Sequence, residues 1–245
     1  MQIVMEQRLS ESPYVERIWR SRSDDISTFV SAAVVQWELV VWTHDGQTRA
    51  AIQGPAAHAS RAPVPQHSEF LGVVFRPEVF MPHLPGHRLV NRSVELPSAA
   101  NQSFGFQGHS WQLPTFDNAE WFVKRLAQNG IIDRDPIVAS ALGGHVPEIS
   151  LRSVQRRFLY ITGQSHRTIR QIERARRAAL LLRDGVSILD TVFDLGYTDQ
   201  AHLTKSLHTF IGQTPTQLTD VRRREQLSLL YKTDCIADPT MVMTT

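Results

Sequence analysis

Two stretches of this chain are spaced so that they could do chemistry on a partner. Between Ser150 and Arg177, eight arginines face a single acid, Glu173. Such a run can neutralise phosphates, but a solvated helix face has the same composition, so charge alone does not choose. Further on, Ser187 opens a short apolar-periodic segment, the tripeptide Leu195-Gly196-Tyr197 interrupts it, and a second segment runs to Phe210. Val192, Leu195, Tyr197, Leu203 and Leu207 fall on one side, leaving Gln200, Ala201, Thr204, Lys205 and His208 on the other. A short helix, a glycine turn and a second helix with a polar face is the helix-turn-helix pattern, which lays its second helix in a DNA groove. A plain helical hairpin shares that grammar.

The elements that must position these residues are legible from local signals. The second half has an apolar period of 3.6. Asp135 precedes Pro136 as a helix cap, with a stop at Gly143-Gly144. Ser150 caps LRSVQRRFLYIT, in which Leu151, Val154, Phe158 and Leu159 form the expected buried stripe and Arg152, Gln155 and Arg156 point away. Gly163 ends it. A longer helix, about 165–183, turns Ile169, Ile172, Ala175, Ala179 and Leu182 inward. Ser187 caps the next, and Gly212 with Pro215 closes the last long one. The first half reads as strands: Val34–Trp42 is rich in β-branched and aromatic residues and leads into the turn pair Asp45-Gly46, and Phe70–Phe75 is a second apolar run. Prolines 63, 65, 77, 82 and 85 exclude long helices between them. The pattern predicts a small antiparallel sandwich or barrel, then a helix starting at a capping box of Asp117 and Glu120 and ending at Gly130. The boundary falls near 130–135, and the basic run lies beyond it, so DNA binding is expected to be separable from whatever the first block does.

At 245 residues, 42% hydrophobic and 20% charged, the chain can bury a real core, which excludes wholesale disorder. No window approaches the roughly 18–20 uncharged apolar residues of a bilayer span. Glu6, Arg8 and Glu11 sit where a signal peptide needs its apolar stretch, so a cytoplasmic protein without membrane contact is expected.

Taken together, SLRSVQRRFLYITGQS, RARRAALLL and SILDTVFDLGYTDQAHLTKSLHTFIGQTPTQL resemble the DNA-binding domain of the AraC/XylS family of bacterial transcription regulators. The resemblance covers about residues 135–218. Its most specific part is the second unit, at Ile188, Gly196, Tyr197, Asp199, Leu203, Lys205, Leu207 and the Gly-Gln-Thr-Pro of 212–215. It implies two helix-turn-helix units joined by a linker helix, with recognition helices at 151–160 and 199–209 in successive major-groove segments about 34 Å apart. Arg152, Gln155 and Arg156 in the first and Gln200, Thr204 and Lys205 in the second become base readers. Arginine can grip guanine, and glutamine adenine, through two hydrogen bonds. Arg157, Arg167 and Arg170 are assigned to phosphates, which fix register. One departure stands out: GGHVPEI, between the first helix and Ser150, holds two glycines and a proline where the family has a fuller scaffold helix.

The implied class is an α+β two-domain chain. Residues 1–130 form an N-terminal β-sandwich or cupin-like barrel with flanking helices that binds an effector or dimerises. Residues 135–225 form an all-α tandem helix-turn-helix domain, and 226–245 a flexible tail. Trp37, Trp42, Phe75 and Trp111 are candidate walls of a ligand pocket, though strand aromatics are more often plain core. Double-stranded DNA is the implied partner, with RNA polymerase, a small-molecule effector and a second copy of the chain as further candidates, and no cofactor.

Two rival readings need an active centre. A cupin-like metal enzyme would draw on His58, His67, His83, His87 and His109 with Glu38, Glu69 or Glu78, but the tight His-x-His with downstream Glu and His is absent, and His83 and His87 flank a loop. A DNA-repair protein fused to a DNA-binding module needs an activated cysteine. The single Cys235 follows the motif in a polar tail and excludes a multi-cysteine zinc site. No catalytic or metal residue is therefore assigned.

Overall fold

The computed structural model describes residues 4–23, 28–99, 102–143, 145, 149–220 and 222. The segment 226–245 with Cys235, and part of the GGHVPEI connection, lie outside the described residues. The first half is β-rich and the second helical. In chain order the strands are β1 (Val4–Leu9), β2 (Val15–Ser23), β3 (Thr28–Ser31), β4 (Glu38–His44), β5 (Gln47–Gln53), β6 (Ser60–Pro63), β7 (Ser68–Phe75), β8 (Val79–Phe80), β9 (Ser93–Leu96), β10 (Ser98–Ala99), β11 (Ser103–Phe106), β12 (His109–Gln112) and β13 (Asp133–Arg134). The helices are α1 (Gly86–Leu89), α2 (Ala119–Gln128), α3 (Pro136–Leu142), α4 (Leu151–Thr162), α5 (His166–Arg183), α6 (Ile188–Asp194), α7 (Gln200–Ile211) and α8 (Pro215–Thr219).

Six strands form one antiparallel sheet in the order β1-β2-β7-β4-β5-β9. The β4–β5 hairpin closes at Asp45 (φ 48°) and Gly46 (φ 73°), the two positive angles of a type I′ turn that matches strand twist. Closure into the expected cupin-like barrel is not seen among the described residues, because the edge strands β1 and β9 do not pair with each other. One sheet-side core gathers Ile18, Leu39, Val73, Trp37 and Phe75 with Trp111 of β12 and the apolar stripe Phe122, Val123 and Leu126 of α2. The capping box expected for α2 does not form. Its N-cap is Asn118, without a side-chain bond, and Glu120 instead binds the guanidinium of Arg8 on β1.

The strand expected at Val34–Trp42 begins only at Glu38. The residues before it leave the large sheet: Val30, Ala32, Ala33 and Val35, each 2% exposed or less, enter two buried clusters built from the helices. Val30 and Ala32 join Ala175, Ala179, Leu182, Leu203, Leu207, Ile211 and Leu218. Ala33 and Val35 join Val138, Val154, Phe158, Ile161, Ile169 and Ile172. An apolar, β-branched run suits either surface, and here the helices take it.

Candidate nucleic-acid interface

Each unit of the helical half is set by short-range capping. Asp135 starts α3 by accepting from the amides of Ile137 and Val138, both at 2.9 Å. Ser150 Oγ accepts from the Ser153 amide to start α4, Ser165 Oγ from Thr168 to start α5, Ser187 Oγ from Asp190 to start α6, and Asp199 Oδ1 from His202 to start α7. These satisfy donors that a helix start otherwise leaves open. Between α6 and α7 the chain turns at Gly196, φ +64°. Tyr197 is buried beneath, with its hydroxyl 3.1 Å from Ser206 Oγ and the Arg174 guanidinium 4.3 Å from its ring centre. Burial pushes the Tyr197 phenol up from its ordinary value.

The buried stripe of α4 is Val154, Phe158 and Ile161 rather than the expected one, since Leu151 and Leu159 are 50% and 49% exposed. Arg152, Gln155 and Arg156 share the exposed side of α4. On α7, Gln200, Ala201, Lys205 and His208 are exposed and Thr204 is half-buried, its hydroxyl donating to the Gln200 carbonyl at 2.8 Å. With Thr209 and Thr214 they line an open depression along the helix.

The arginines divide by environment. Arg167 is exposed and Arg170 half-buried at the start of α5, where burial and the Arg170 charge together lower the pKa of His166. Arg157 is occupied: its Nη1 lies 2.6 Å from Oδ2 of Asp135, whose side chain is 7% exposed. Arg176 is buried at 4% exposure, with Glu173, Arg17 and Glu16 as its charged neighbours. Arg174 packs on Tyr197.

Of the pocket candidates, Trp37 and Phe75 stack at 3.7 Å between ring centres, and the Trp37 indole donates to the Val79 carbonyl. Trp111 packs edge-on against Phe122 and donates to Phe106. Trp42 is half-buried on β4. Among the acids, Glu38 accepts from the Trp19 indole and Glu78 pairs with Arg134. Among the described residues, no three His, Cys, Asp or Glu side chains group to hold a metal ion, and no helix is long and apolar enough to cross a membrane.

Residues 147–221 match the model of a family described as a helix-turn-helix domain. This segment is an AraC-type helix-turn-helix domain. The match supports a DNA-binding transcription regulator. Neither the curated proteins nor the solved structures contain a match to the chain.

Within the AraC-type domain, α4 and α7, each with the turn that follows it, repeat at a spacing of 49 residues, a signal present in the sequence but missed by motif reasoning. The N-caps Ser150 and Asp199, the core positions Val154 and Leu203, Phe158 and Leu207, and the turns Gly163-Gln164-Ser165 and Gly212-Gln213-Thr214 correspond one to one. Both glycines are left-handed helix caps, at φ 68° and 77°. Arg156 corresponds to Lys205, and Gln155 to Thr204, on the two exposed faces.

Proposed function

We propose that the protein is a sequence-specific transcription activator or repressor that binds a bipartite DNA site, with α4 and α7 in successive major-groove segments. The observation that carries this reading is the repeat itself: two capped helices of equal length, each with a polar or basic outer face in its first half. Arg152, Gln155 and Arg156 read bases in one half-site and Gln200, Thr204 and Lys205 in the other. Arg167 and Arg170 hold phosphates. Arg157, a phosphate candidate beside them in the sequence, pairs with Asp135, which makes a structural role its better reading. The β-rich half supplies control, by a small effector or by pairing with a second copy, and RNA polymerase is the partner an activator would need. Trp37, Phe75 and Trp111 would wall an effector pocket only if they part from their present packing, and Trp42 is the more accessible of the four.

Selection of bound fragments from random DNA, followed by titration of variants, tests this. A bipartite site is expected. Arg156→Ala should relax preference at one base pair, worth about 1–3 kcal/mol of discrimination. Arg170→Ala should weaken specific and random DNA alike and lower the salt slope by about one. Equal losses on all sequences from both variants would remove Arg156 from base reading.

A further inference from the structure

The β-rich half meets the DNA-binding units at the same place twice. At the end of α4, the Gly163 turn lies against the Gly86 carbonyl oxygen, which a β-carbon on Gly163 would approach to 2.6 Å, and against Val90. A β-carbon on Gly86 would in turn run into the Ile161 carbonyl. Gln164, 3% exposed, donates to the Val34 carbonyl at 3.0 Å. At the end of α7, the equivalent Gly212 lies against Val30 and Ala59, which an added β-carbon would meet at 2.7 and 3.2 Å. There the amides of Ala33 and Ala59 donate to the carbonyls of Phe210 and Thr209, both at 2.8 Å. These are last-turn carbonyls that α7 cannot satisfy internally.

We propose that the β-rich half is a bracket that grips both recognition helices at their C-terminal Gly-Gln turns and so fixes the spacing and angle at which they meet DNA. The residues between Val30 and Val35 join the two grips. Val30 and Ala32 sit in the core of the second unit and Ala33 and Val35 in that of the first, and a chain this short spans at most about 3.5 Å per residue, so neither end can shift alone. The proposed base readers lie in the first half of each helix, away from the grip. Linker helix α5 joins the units along one line, and the bracket adds a second tie that stops them pivoting about it. The consequence is specificity for the distance between half-sites, which rests on the bipartite reading above.

The test has a DNA-free arm and a DNA arm, both on the full chain. With Cys235→Ser, spin labels at Arg156→Cys and Lys205→Cys report the distance between the two helices. A single narrow distribution is expected, broadened or displaced by Gly86→Ala, which wedges the first grip, and by Val30→Ala, which empties part of the second. Gly105→Ala, whose β-carbon would meet nothing nearer than 3.9 Å, should leave it unchanged. In the unlabelled protein, adding about five base pairs, half a turn, between the half-sites should weaken wild-type binding by about tenfold or more. Gly86→Ala and Val30→Ala should shrink that ratio while each isolated half-site binds as before. A distance distribution unchanged in both variants overturns the bracket whatever the DNA result. An intact bracket by distance, with no bipartite site recovered, overturns the DNA reading instead and removes the spacing role.

Discussion

The assignment of Arg157 separates two physical roles that sequence cannot distinguish, and Arg157→Ala decides between them. In the structure, Asp135 uses Oδ1 to cap α3 and Oδ2 to hold Arg157 on α4, so the pair ties the two helices of the first unit together. The carboxylate is 7% exposed and the arginine 48%. A buried pair broken on one side costs about 3–5 kcal/mol and a surface pair about 0–1. Half of this one faces water, so we expect about 1–2 kcal/mol. For a chain of this size that lowers Tm by roughly 2–8 °C. Asp135→Asn keeps an oxygen for the two amides and removes the charge, so adding Arg157→Ala to Asp135→Asn should cost much less than Arg157→Ala alone. Thermal melts of the four proteins give the coupling, and salt titration of DNA binding gives the other role. A phosphate contact contributes about 0.9 to the slope of log K against log salt. Arg157→Ala with unchanged Tm and a slope reduced by that amount would refute the structural assignment.

Two further outcomes follow from the buried groups. A fragment beginning near Ile131 lacks Val30, Ala32, Ala33 and Val35, so it exposes apolar surface in both helical cores. At about 1.5–3 kcal/mol per buried valine this approaches the whole stability of a small domain, and the fragment should show weakened cooperative unfolding by circular dichroism. A fragment melting as sharply as the full chain would contradict this. Glu38 is half-buried beside the Trp19 indole, and desolvation raises its carboxyl above the ordinary 4.5 despite that hydrogen bond. The folded state thus favours the protonated acid, and stability is lost as pH rises from 4.5 through the folded value. Glu38→Gln keeps an acceptor for the indole, so its urea midpoint relative to wild type should rise between pH 4 and 7. An unchanged difference would place the Glu38 carboxylate in water.

What could be read from sequence were the features decided within a few residues. Asp135, Ser150 and Ser187 cap helices because each bonds amides two or three positions on, and Asp45-Gly46 turns a hairpin because both angles are positive. The inward faces of α5 and α7 followed from helical period alone. Tertiary structure decided the rest. Whether Glu120 served its own helix or Arg8 and whether Val30–Val35 joined the large sheet or the helices were choices between local and distant partners. The distant ones won in each case. An apolar or charged side chain carries no record of which surface will cover it, because burial and ion pairing are set by the partner that arrives, and here the partners come from as far as Phe210 to Ala33.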